Sequence, residues 1–217
     1  VIEIYIYAAL LVIGILILFR ICDLSLYCPK KIRTMSIIII IIMFLRYISM
    51  SIMFFSSKIQ YLYLLKYTFF IDFIAIPIIA ITVLYIFSRK DSVNFSYSFI
   101  VTIALAIVYG LIMYKCTCYV TSLDYCGYTI TFTDDLIYWI YILINTFIMF
   151  LAICLLNRSS IDKVGIYIVI FSSLLSVIEM LTYVIGFSFM PDNIVGDSMW
   201  IICLMYGLKK ISKVNIK

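Results

Sequence analysis

The chain has 217 residues, of which 66% are apolar and 12% charged, with a formal net charge of +5 and no histidine. So apolar a composition rules out an ordinary water-soluble domain and points to a membrane protein whose helices satisfy their own backbone groups. Without histidine there is no Ser-His or Cys-His pair, no His-based metal centre and no phosphoacceptor histidine, so no enzymatic activity and no cofactor are expected.

A helix needs about 20 apolar residues to cross a ~30 Å hydrocarbon core. Windows of that kind predict spans at 4–21, 35–55, 62–87, 95–114, 136–156, 166–189 and 194–211. Glu3 stands where a signal peptide carries positive charge, so the first window reads as a span. Gly196 and Asp197 interrupt the start of the last one, which leaves a six-span reading open beside seven.

Basic residues collect at every second connection. Arg20, Lys30, Lys31 and Arg33 follow the first span, Arg89 and Lys90 the third, Arg158 and Lys163 the fifth, and Lys209, Lys210, Lys213 and Lys217 close the chain. The alternate set holds Glu3, Lys58, Lys115, Asp192 and Asp197. Positive residues in short loops resist translocation, so the expected fold is an all-α seven-transmembrane-helix bundle, N-terminus outside and C-terminus inside. That placement accounts for the net charge and leaves no nucleic-acid partner to explain; the bilayer is the expected partner.

Between the fourth and fifth spans runs "KCTCYVTSLDYCGYTITFTDD", Lys115 to Asp135. Apolar and threonine residues alternate on both sides of Asp124 to Gly127, which predicts a short hairpin over the outer face. Cys116, Cys118 and Cys126 could supply one disulfide there, or all three could stay reduced. With no histidine, a zinc site would lack a good fourth ligand.

The second span, "IIIIIIMFLRYISMS" from Ile37 to Ser51, contains Arg46. A charge at that depth costs at least ~2.5 to 3.5 kcal/mol unless it is paired. At about 1.5 Å per residue, Arg46 lies ~16 Å, Asp72 ~15 Å, Asn145 ~13 Å and Glu179 ~20 Å into their spans, all near the midplane. Arg46 is expected to pair with Asp72, Glu179 or both. Ser172, Ser176 and Tyr183 share a helical face with Glu179, and Lys66 lies nearer the outer interface. Pro77 is expected to kink the third span and free a carbonyl near the pocket. The expected ligand-binding set is Arg46, Lys66, Asp72, Asn145, Ser176 and Glu179, with no metal. It serves either a buried bridge that fixes helix register or a cavity where a small or lipidic ligand, or a proton, changes the pairing.

The third span opens "LLKYTFFIDFIAIP", with Lys66-Tyr67 and then Pro77, and closes on Arg89-Lys90; the fifth opens "LIYWIYIL". In these features the chain resembles the N-terminal seven-transmembrane sensor region of bacterial histidine kinases and related signalling proteins. The resemblance implies a sensor in a bacterial cytoplasmic membrane that passes a helix shift to a kinase or other output domain after Lys217, with a homodimer as one arrangement. Two alternatives stand beside it: a small seven-helix transporter with midplane polar groups, and a non-catalytic membrane scaffold.

Overall fold

The computed structural model describes residues 2–56, 59–88, 94–122, 127–157, 161–187 and 191–215. Its long helices are α1 (Ile2–Ser25), α2 (Lys30–Phe55), α4 (Asp72–Ser88), α5 (Ser96–Lys115), α6 (Leu136–Leu156), α7 (Lys163–Ile185) and α8 (Ile194–Asn215). A 3₁₀ segment (Ile59–Leu65) and the short α3 (Lys66–Phe69) precede α4, and a 3₁₀ turn (Pro191–Asn193) precedes α8. Six helical stretches are long and apolar enough to cross a bilayer, so the chain is a multi-pass membrane protein by length and composition. The helix from Ile194 falls outside that group, since Asp197, Lys209 and Lys210 dilute its hydropathy.

That least apolar helix is nevertheless well enclosed. Trp200, Ile201, Cys203, Leu204 and Leu208 are fully buried, and α8 packs against α1, α4 and α7. The facing positions on α1, namely Tyr7, Leu11, Gly14, Leu18, Ile21 and Ser25, recur every three or four residues, so one stripe serves the whole contact. Gly14 matters within it: an added Cβ would run into the Tyr47 ring, whose hydroxyl lies 3.3 Å from Ser198 Oγ on α8. By contrast α5 fully buries only Ser98 and Met113 and leaves most of its apolar surface open.

Two expected spans keep their place and differ in detail. The third, expected as one helix over 62–87, is broken at Phe70–Ile71: the Phe73 amide donates to Phe70 rather than to Phe69, which leaves the Phe69 carbonyl without its helical donor. The break lies before Pro77, which sits inside α4, so the carbonyl released into the site is not the one that proline would free. The sixth, expected to reach Phe189, ends at Ile185 because Gly186 takes φ 92°, the left-handed cap that glycine adopts without a Cβ penalty. Residues 188–190 lie outside the described residues.

Strands β1 (Cys118–Ser122) and β2 (Tyr128–Phe132) pair antiparallel, Cys118 opposite Phe132 and Ser122 opposite Tyr128. The ribbon lies down on the bundle. Ile130 and Phe132 are buried, Phe132 stacks on Phe70 with ring centres 3.9 Å apart, and a Cβ on Gly127 would strike the backbone of Met53 and Phe54 at the end of α2. Cys116 and Cys118 are free thiols, and burial pushes the Cys118 thiol up to about 11; Cys126 lies outside the described residues, and so does any bridge to it. At the opposite end Lys210 pairs with Asp162 at 2.6 Å, Lys31 donates to Ser96 at 2.9 Å and the Asp162 amide donates to the Phe87 carbonyl at 3.2 Å. Lys31, Lys163, Lys209 and Lys210 thus belong to one end of the bundle and the ribbon to the other.

Candidate functional site

Arg46 lies about 14 Å before the end of α2 by helical rise. It shares the buried face of α2 with Ile39, Met43 and Met50, which turns its side chain into the bundle at 2% exposure. All three guanidinium nitrogens are engaged. Nε donates to Asp197 Oδ2 at 2.5 Å, Nη2 donates to the Asp192 carbonyl at 2.6 Å, and Nη1 donates to the Phe69 carbonyl while lying 3.0 Å from Asp72 Oδ1. Arginine suits this position because a planar fork can serve several acceptors at once. A single side chain therefore holds α2, the broken third span, the turn before α8 and α8 itself.

The sequence logic of each partner is local. Asp72 is the first residue of α4, where a carboxylate meets the positive end of the helix dipole, and the helix break that places it there also supplies the Phe69 carbonyl. Asp197 occupies the first turn of α8 and is fully buried. Asp192 and Asn193 sit in the turn with φ 69° and 56°, left-handed values that Asp and Asn tolerate better than most side chains. In that conformation the Asp192 carboxyl accepts from Tyr7 at 2.9 Å and from Thr129 at 2.5 Å, so α1 and β2 are tied to the same residue whose carbonyl binds Arg46. Burial pushes the Asp192 carboxyl above its ordinary 3.8, against those two donors, which pull it down.

Among the six expected site residues, Arg46 and Asp72 meet as an ion pair. Glu179 does not reach the guanidinium: its oxygens accept the backbone amides of Val195 and Gly196, at 3.2 and 2.7 Å. It thereby caps the N-terminus of α8 from α7, satisfying donors a helix start leaves orphaned. Ser176 accepts from the Trp200 indole at 3.1 Å and stands against Gly196, so it is a packing contact between α7 and α8. Asn145 is buried on α6 and donates to the Tyr141 carbonyl of its own helix at 3.1 Å. Lys66 donates to the carbonyls of Met113 and Cys116 at 2.8 and 2.5 Å, where a cation complements the C-terminus of α5. Asn145, Ser176 and Lys66 lie outside the cavity lining described next.

Beside Arg46 lies a cavity of about 40 Å³, lined among others by Asp72, Glu179, Asp192 and Asn193, with walls of Phe69, Phe70, Phe73, Tyr138 and Tyr183 and with Thr129 and Ile130 of the ribbon. At roughly 10–15 Å³ per water centre it holds on the order of three waters. The cluster sits toward the ribbon end of the bundle, since Thr129 and Ile130 of β2 share the cavity lining with Arg46 and Asp72.

Asp192, Asn193 and Asp197 were not in the expected set. A signal for Asp197 does exist in the chain: Asp197, Ile201, Leu204 and Leu208 follow one helical stripe, so the acid shares the apolar, buried face. For Asp192 there was none, because its role depends on backbone conformation and on a ribbon far away in sequence. No protein-family model matches this sequence, and no curated protein matches it either.

Proposed function

We propose that the chain is a membrane-embedded sensor in which a small ligand or proton at the Arg46 cavity shifts α8, and that α8 passes the shift to a cytoplasmic partner. The observation that carries this reading is the shared guanidinium: Arg46 borders the cavity beside Asp72 and holds Asp197 of α8. Anything that changes the first pairing has a direct mechanical route to the helix. A ligand moves such an equilibrium only by binding the two arrangements unequally, and competition for Asp72 or Asp192 supplies that inequality. The cavity size favours a small ligand over a lipidic one. On this reading the ribbon faces the outside of a bacterial cytoplasmic membrane and the basic end, with Lys209 and Lys210, faces inward. The test is ligand-dependent movement of the α8 end near Lys209 in nanodiscs without solute flux in proteoliposomes.

One feature favours the transporter as a second reading. A helix broken beside an ion pair, with a half-helix N-terminus at Asp72 and a released carbonyl at Phe69, is the kind of element from which midplane substrate sites are built. Saturable flux abolished by Asp72→Asn would select it over the sensor.

A further inference from the structure

We infer that the ligand of this cavity is a small cation carrying N–H donors, ammonium or a short primary amine. The inference rests on the cavity being a ligand site, as proposed above, and three independent features give that ligand its chemistry.

Charge comes first. One guanidinium, Arg46, stands among four carboxyl groups, those of Asp72, Glu179, Asp192 and Asp197, and the first three of these line the cavity with it. Among the described residues Arg46 is the sole cationic side chain in the lining. Buried charges need partners, so the surplus is negative and calls for a cation or protons. Glu179 and Asp192 receive backbone and hydroxyl donors and, among the described residues, no cationic partner of their own.

Hydrogen bonding comes second. Two of the residues that line the cavity carry a buried acceptor without a hydrogen-bond partner: Asn193 Oδ1, on a residue 7% exposed, and Asp72 Oδ1, on one 2% exposed, whose ion pair with Arg46 does not make a hydrogen bond. A buried acceptor without a donor is costly, and a ligand that brings N–H groups supplies what is missing. An anion would find the three nitrogens of Arg46 already engaged.

The walls come third. Phe69, Phe70, Phe73, Tyr138 and Tyr183 line the same cavity as these residues, and aromatic rings attract cations. Room for about three waters admits ammonium or methylammonium. Bound there, the ammonium competes with Arg46 for Asp72 and leaves the guanidinium to Asp197, which draws on α8 rather than α4.

The experiment is calorimetric titration of the full chain in nanodiscs with ammonium and methylammonium chloride at constant ionic strength, with tetramethylammonium and sodium chloride as comparators. Saturable binding of the first two is expected, at least tenfold tighter than tetramethylammonium, which has no N–H, and tenfold tighter than sodium. Asp72→Asn should weaken methylammonium at least tenfold, and Asn193→Asp, isosteric and negative, should tighten it. If Asp72→Asn fails to fold, the selectivity series on the native chain decides alone. No saturable amine binding, or equal affinity for tetramethylammonium, overturns the inference. Binding without movement of α8 upholds it and refutes the sensor; movement of α8 under another stimulus without amine binding refutes this inference alone.

Discussion

Replacing Arg46 with methionine keeps much of the side-chain volume and removes all the guanidinium donors from the site. Asp197 Oδ2, the Asp192 carbonyl and the Phe69 carbonyl then lose their donor, and Asp72 loses its counter-ion at 3.0 Å. Breaking a buried pair from one side costs about 3–5 kcal/mol, because the remaining charge stays buried. Arg46→Met should therefore destabilise the fold by about that much, a large fraction of a typical 5–15 kcal/mol. The assay is reversible unfolding in mixed micelles followed by Trp200 fluorescence, in a Trp139→Phe background so that the fully buried indole near Asp197 reports alone. Asp197→Leu should cost a similar amount, and the double variant should fall short of the sum by about 0.5–3 kcal/mol, the range for residues in direct contact. An Arg46→Met chain within about 0.5 kcal/mol of the parent, the range of an inconsequential surface change, would refute the reasoning. Additive single effects would refute it equally.

Glu179→Ala leaves the Val195 and Gly196 amides uncapped and should cost about 0.5–2 kcal/mol in the same unfolding assay, with Glu179→Gln nearer the low end because it keeps an acceptor. Gly196→Ala places a Cβ 2.6 Å from Ser176 Oγ and 3.1 Å from Ser176 Cα, so it should cost about 1–3 kcal/mol, partly recovered by Ser176→Ala. Asp192 gives a pH dependence. Its folded pKa is raised, so the stability it contributes is full below its ordinary 3.8 and is lost as pH rises through the raised value; Asp192→Asn should flatten that part of the stability profile, read by thermal melts across the acid range.

Much of the bundle is legible because span length and charge placement follow from bilayer thickness and translocation, which act on composition. Helix breaks are less so. Nothing in "KYTFFIDF" demands an interruption at Phe70–Ile71, and the break is stable because Arg46, far off in sequence, occupies the Phe69 carbonyl. The same distance explains Glu179: a buried acid opposite a buried arginine reads as its partner, yet the amides of α8 lie nearer. Lys66 and Ser176 were legible as polar residues within apolar spans but not as caps and packing contacts, since those roles depend on where α5 ends and where Gly196 lets α7 approach α8. Asp197, read as an interruption of the last span, is the buried residue that pairs α8 with Arg46 of α2.

The link from cavity to α8 can be measured without any ligand. Spin labels at Thr34 and Lys209, both exposed, report the separation of α2 and α8 at the basic end. Asp72→Asn alters only the cavity side of Arg46 and should shift that distance distribution in the parent chain but not in an Asp197→Leu background, where the guanidinium no longer holds α8. Identical distributions for the parent and Asp72→Asn chains, or an equal shift in both backgrounds, would contradict the coupling.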